Sequence, residues 1–251
     1  VAKVRDYSVL LRLGFERKPV GVKFLITKPE GIPRLDRSLN FCEMFREAQN
    51  RRPFWVGRED FECVEPFLLG MEEAGPMFVS GLIGEREGFY EEARANRAIY
   101  YYLPKMIKGS VRYVAFSALD VAPFDPDVTI FTADQVRQAQ LLLRAATFST
   151  GEAWSSQVTP VAACAWLYVY PVLSGRVNFT VTGLSMGMQS LKVLPDGLIL
   201  VSIPWQVMPR VIENLQKMKW ENPGDVFPTR DENRERVKRL FRQWEEELTD
   251  A

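Results

Sequence analysis

Three residues carry the most distinctive chemistry in this sequence: Cys42, Cys63 and Cys164, the only thiols among 251 residues. The first two lie in the stretch NFCEMFREAQNRRPFWVGREDFECVEPFLLG, and the third in PVAACAWLYVY. Thiolate sulfur is the usual protein ligand of iron–sulfur clusters, which generally take four such ligands. Three cysteines could hold three irons of a 4Fe-4S cubane. The fourth iron would then go to a carboxylate, a substrate, a thiol of another chain, or nothing. A 3Fe-4S cluster needs only three. Zinc ranks lower, because a closed zinc site takes four nitrogen or sulfur ligands and the chain has no histidine. The spacing is not of the C-x-x-C type. The competing reading is therefore three free cysteines packed in a core, where free cysteine is often found.

The elements around the cysteines follow from local pattern. Asn40 is placed to cap a helix running to about Gln49, with Cys42 in its first turn. The free N–H groups there would lower a thiol's pKa and favour a metal-bound thiolate. Pro53–Val56 predicts a short strand. Cys63 precedes VEPFLLG, a short helix start whose Pro66 fits the first turn. Val161–Tyr170 is nearly all apolar and predicts a buried helix around Cys164, ended by Pro171 and Gly175.

Other residues offer supporting chemistry. Arg51, Arg52 and Arg58 flank the first two cysteines and could stabilise an anionic cluster or an acidic ligand; a solvated turn is the alternative. The bend GLSMG at 183–187 could turn backbone N–H groups toward an anion, or serve only as a tight bend. It has neither the Gly-Lys-Ser/Thr of a Walker loop nor a GxGxxG fingerprint. Trp166 and Tyr168, with the triplet Tyr100–Tyr102, could line a pocket for a flat ligand or pack as core.

The remaining chain mixes strands and helices without strict alternation. Strands are predicted at Lys18–Ile26, Val111–Ala118, Val128–Phe131, Glu152–Gln157 and Arg176–Thr182, with a hairpin over Lys192–Ile203 turning at Pro195–Gly197. Helices are predicted at 3–14, at Phe89–Leu103, from a cap at Thr132 or Asp134 to about Ala146, and at Trp205–Met218. Lys28–Asp36 reads as loop, and Gly75–Gly88 as loop with one short strand. This pattern predicts an α+β protein, a mixed sheet with packed helices, as a single domain or two closely fused lobes over 1–221. Residues 222–251 read as a linker followed by a charged helix at Asp231–Leu248. Its stripe of Val237, Leu240, Phe241, Trp244 and Leu248 would pack on the body or on a partner.

Composition limits the function classes. With 32 basic and 32 acidic residues, nothing predicts a global attraction to nucleic acid or to an anionic membrane. No apolar run is long enough to predict a membrane span. The N-terminus reads as an amphipathic helix rather than a signal peptide. An odd cysteine count favours the cytoplasm over a disulfide-bonded secreted setting. Without histidine, the commonest general base and the Ser–His and Cys–His dyads are absent, so any catalysis must use carboxylates, lysine, tyrosine, cysteine or a cofactor.

The order of four landmarks resembles the uncharacterised ArCR family, domain of unknown function number 169, of archaea and anaerobic bacteria. These are KPVGVKF at 18–24; the cysteine pair with PFLLG after the second; VTIFTADQVRQAQLL; and the cysteine-containing helix followed by VNFTVTGLSMGMQSL and LILVSIPWQVMPRVI. The resemblance covers roughly residues 10–217, and Cys42, Cys63 and Cys164 fall where that family is expected to carry cysteines. The resemblance carries no established reaction, but it adds weight to the reading made from the thiols, an iron–sulfur-binding redox or accessory protein of anaerobic metabolism. The three cysteines would hold the cluster, and a redox protein, an enzyme complex or a second copy of the chain would be the partner. The alternatives are a metal-free enzyme binding a small molecule or acyl group in an aromatic pocket, and a non-catalytic subunit of a larger complex.

Overall fold

The computed structural model describes residues 6–222, 226 and 229–249. The chain divides into two units, Val1–Gln216 and Lys217–Ala251.

The first unit is built on one six-stranded sheet. Its strands are β1 (Val20–Leu25), β2 (Phe54–Val56), β3 (Tyr113–Ala118), β4 (Val128–Ala133), β5 (Asn178–Val181) and β6 (Ile199–Pro204), in the order β2-β3-β1-β4-β6-β5. The α+β reading holds. All five strand pairings are antiparallel, and the parallel component of the expected mixed sheet reduces to two isolated bridges, Arg34↔Trp55 and Leu39↔Phe61. β1 is central because Val20 pairs with both Ala118 and Ile130. Every residue of β4 is buried, as a strand covered on both faces requires. The β1–β4 ladder stops at Val22↔Val128, and there the Asp127 carboxylate accepts the Phe24 N–H at 2.7 Å.

Ten helices are found among the described residues, several of them a single turn. They are α1 (Ser8–Leu11), α2 (Phe41–Asn50), α3 (Pro76–Ser80), α4 (Leu82–Arg86), α5 (Ala93–Tyr102), α6 (Val136–Thr147), α7 (Tyr170–Ser174), α8 (Met186–Ser190), α9 (Met208–Lys217) and, in the second unit, α10 (Arg230–Thr249). α2 and the segment after Cys164 share one apolar core with Val20, Val22, Phe54, Val114, Phe116, Ile130 and Leu200 of the sheet. α6 lies against β4 and β6, and α9 is tied to it by Asn214 Nδ2, which donates to the Ala145 carbonyl at 2.8 Å.

Four local expectations need correction. Residues 75–88 hold no strand: Pro76 opens α3, Gly81 turns at φ +78° and α4 follows. A side chain at Gly81 would meet the Ala93 carbonyl oxygen, because α5 closes directly over this turn. Residues 152–157 form no strand, since the Gln157 N–H is taken at 2.8 Å by the Asn178 side chain rather than by a ladder. The hairpin over 192–203 is instead the pair β5–β6. Thr182 organises its connection, donating to the Pro195 carbonyl at 2.6 Å and accepting the Leu198 N–H at 2.9 Å. Pro171 does not end the cysteine helix. A π-helical turn over Ala165–Val169 precedes it, and the Tyr170 N–H reaches back to the Ala165 carbonyl. The proline then sits in the first turn of α7, where its missing N–H leaves no orphan, and Gly175 ends that helix at φ +67°.

Of the helix expected over 3–14, the described residues form only the single turn α1; residues 3–5 lie outside the described part, as do Pro223, Gly224 and Pro228 of the expected linker. In the second unit, Thr229 and Glu232 form a reciprocal capping box at the start of α10, the pattern that satisfies two orphan N–H groups. No residue of α10 is buried, and Phe241 and Trp244 meet edge to face at 5.7 Å. Among the described residues, no helix is long and apolar enough to cross a membrane.

Candidate metal centre

The three cysteines, far apart in sequence, meet around one cavity of about 180 Å³. Cys42 comes from the second position of α2. The Asn40 N–H and Nδ2 both donate to the Glu43 carboxylate, at 3.1 and 2.7 Å, and fix that helix start. Phe41 anchors it from below, stacked on Tyr168 at 4.2 Å and edge-on to Phe116 at 5.8 Å.

Cys63 is brought to α2 by pairing of the preceding segments. The Leu39 N–H donates to the Asp60 carbonyl and the Glu62 N–H to the Leu39 carbonyl, at 2.9 and 3.0 Å. Arg34 braces Asp60 from outside with several hydrogen bonds. The Phe41 N–H then donates to Cys63 Sγ at 3.2 Å, so a free N–H of the α2 terminus is spent on a cysteine sulfur.

Cys164 arrives from the opposite end of the sequence. It follows Ala162, whose φ of 57° is left-handed and strained for an alanine, and it leads into the π-helical turn. Asn178 of β5 holds this segment, donating to the carbonyls of Gln157 and Trp166, both at 3.0 Å, while its Oδ1 accepts the Gln157 N–H. Asn178→Ala, which would orphan the buried Trp166 carbonyl and release the exposed Gln157 backbone, is expected to lower stability by about 1–3 kcal/mol and to weaken retention of any metal held by Cys164. Urea unfolding and metal analysis of the purified variant check both.

The remaining wall is supplied by Ser185, Gly187, Met188 and Leu191, with Asn40, Val64, Ala162 and Ala163. The GLSMG bend thus borders the cysteines. Its Leu184 and Met186 N–H groups are already donated to Val181 and Pro160, so they are not presented to an anion. The arginine expectation is also corrected. Arg51 pairs with Asp36 and Glu47, Arg58 pairs with Glu72, and neither they nor Arg52 line the cavity. Trp166 and Tyr168 do not form a ligand pocket either: both are buried core residues. Tyr101 and Tyr102 are exposed, and Tyr100 packs against Phe67 and Phe78.

One functional residue escaped the sequence reading. Glu65, two positions after Cys63, lines the cavity, and its Oε2 has no hydrogen-bond partner. An acid before proline at a helix start reads as an ordinary dipole complement; only the tertiary fold buries it among sulfurs. No lysine or arginine lines the cavity. Burial, reinforced by the charge of Glu65, pushes the Cys42 thiol up to about 12 and raises the Cys63 and Cys164 thiols above their ordinary value. Burial likewise raises the Glu65 carboxyl. The helix terminus was expected to favour a Cys42 thiolate, but desolvation outweighs it. The three thiols carry protons until a cation takes their place.

The donor set suits a metal cofactor with several soft positions. Among the described residues, no group of three or more His, Cys, Asp or Glu side chains is arranged to hold a metal ion. A mononuclear thiolate site draws its sulfurs to within about 4 Å of one another, whereas a cluster gives each thiolate its own iron and spreads them around the inorganic core. Three thiols and one unpartnered carboxylate oxygen around a shared cavity are donor types that either arrangement can use. No curated protein and no solved structure matches the chain. A family model does match, over residues 11–214, a span that includes the whole sheet and all four donors of the cavity, and on that match the chain belongs to the Uncharacterised ArCR family, domain of unknown function 169.

Proposed function

We propose that this chain holds an iron–sulfur cluster, 4Fe-4S or 3Fe-4S, on Cys42, Cys63 and Cys164, and works as a redox or accessory protein of anaerobic metabolism in the cytoplasm. The supporting observation is that three separate segments deliver all three thiols of the chain to one cavity without a basic residue in its wall. A bound cluster would exchange single electrons with a partner or offer a Lewis-acidic iron. The chain's own part is positional. The π-helical turn and Asn178 hold Cys164, the α2 terminus holds Cys42, and the Phe41 N–H donates to Cys63, the kind of contact that tunes a cluster's potential. The partner would be a redox protein or an enzyme complex, and the exposed Phe241 and Trp244 of α10 are the apolar surface we would assign to it.

The test is purification without oxygen, followed by a visible spectrum and by iron and sulfide analysis per chain. A broad charge-transfer band near about 400 nm, with roughly three or four irons and matching sulfide, is the expected result. Colourless, iron-free protein that stays so after anaerobic reconstitution would sink the reading. A second observation would then take precedence. A larger cavity of about 350 Å³ is lined by Trp154, Arg176 and Arg210 among others, and Arg210 Nε is buried without a partner. That site suits a small anionic or acyl-bearing ligand bound without metal, and its aromatic wall is Trp154 rather than Trp166 or Tyr168.

A further inference from the structure

Glu65 is hard to account for as a packing residue. It is the first residue of a 3₁₀ turn, Glu65–Phe67, whose backbone is pinned by Pro66 and by the Leu68 N–H donating to the Glu65 carbonyl at 2.8 Å. Its Oε2 is buried and has no hydrogen-bond partner, and no lysine or arginine shares the cavity. A carboxyl group with no cation is among the most unfavourable groups to bury. Glutamine or leucine would fill the same space without that penalty. The nearest chemistry is sulfur: Glu65 lines the same cavity as Cys42, Cys63 and Cys164, and its charge helps to raise all three thiols. It is thus the one carboxyl common to all three thiols.

We infer that Glu65 is the fourth protein ligand of the centre, its carboxylate oxygen binding the iron that the three cysteines leave open. This inference rests on the cluster reading above and completes its donor set as three thiolates and one carboxylate. On binding, the Glu65 carboxyl releases its proton to solvent, an Fe–O bond forms, and no electron is transferred. A carboxylate is a harder and more exchangeable ligand for iron than a thiolate. The iron it holds is then the position at which a substrate or partner group can enter by displacing Glu65.

The experiment compares wild type, Glu65→Gln and Glu65→Cys, each reconstituted anaerobically with ferrous iron and sulfide. Iron per chain and the electron paramagnetic resonance of oxidised and reduced samples are the readouts. Expected are four irons in wild type, loss of one iron with appearance of an oxidised three-iron signal in Glu65→Gln, and return to four irons in Glu65→Cys. Four irons and an unchanged spectrum in Glu65→Gln would overturn the Glu65 assignment while leaving the three-cysteine cluster standing, as would a wild type that takes only three. Wild type without iron or labile sulfide would overturn the cluster reading itself. Should Glu65→Gln fail to fold, electron–nuclear double resonance on wild type grown with carboxyl-¹³C glutamate decides the matter: coupling of ¹³C to the reduced cluster supports ligation, and its absence overturns it.

Discussion

Serine in place of Cys42, Cys63 or Cys164 is expected to leave the reconstituted protein with less than about a tenth of the wild-type iron. Loss of a group that merely orients a ligand already weakens metal affinity by about 10- to 100-fold, and removing the ligand removes more. The three variants should behave alike, since each sulfur borders the same cavity. Their apo-proteins should still fold. Cys42 and Cys164 are buried, but a hydroxyl in place of a thiol changes volume little and leaves the surrounding aromatic core of Phe41, Phe61, Phe116 and Tyr168 intact. Iron analysis beside circular dichroism separates the two effects. Three variants that fold and keep their iron would return the cysteines to plain core packing.

The metal-free protein is expected to lose stability steeply as pH rises into the alkaline range. Burial lifts the Cys42 thiol from 9.0 to about 12 in the folded chain, so the folded state keeps a proton that the unfolded state releases. That contribution is fully present below about pH 9 and disappears as pH climbs toward 12. At about 1.4 kcal/mol per unit, it amounts to about 4 kcal/mol for this thiol alone at the alkaline limit, a large share of the 5–15 kcal/mol typical of a domain. Cys63 and Cys164 are shifted the same way. Glu65, raised from 4.5, begins the decline earlier, as pH passes above its unfolded value. Urea midpoints of reduced apo-protein between pH 7 and 10 measure the slope, and Cys42→Ala should flatten it. A midpoint independent of pH across that range would refute the buried, protonated cavity. Loading with metal should invert the behaviour, because bound thiolates no longer need protons, and uptake should acidify an unbuffered solution.

Much of the local structure was legible before any coordinates. β1 follows from the alternation Val20, Val22, Phe24 after a proline; α2 follows from Asn40 as its cap; β4 and α6 follow from a buried apolar run and then a capped helical one. These elements obey rules that act within a few residues. The misreadings fall where a distant contact competed with a local preference. Residues 75–88 fold as two short helices because α5 closes over Gly81. The stretch 152–157 forms no strand because Asn178 takes its N–H. Pro171 is absorbed by a π-helical turn whose register is fixed by the packing of Trp166 and Tyr168.

The same division runs through the candidate centre. The sequence by itself determined which donors exist: three thiols, no histidine, and a chain without net charge to attract a polyanion. It also determined that Cys42 opens a helix and that Cys63 precedes a proline-started turn. Only the tertiary structure decided that Cys164 joins them, since that meeting depends on antiparallel strands pairing residues more than a hundred positions apart. It also decided that Arg51 and Arg58 pair with carboxylates away from the cavity, and that Glu65 shares a cavity wall with the sulfurs. Residue type sets the chemistry a side chain is capable of. Whether it is solvated, paired or left facing a cavity depends on neighbours brought in by long-range packing, and no local pattern encodes that.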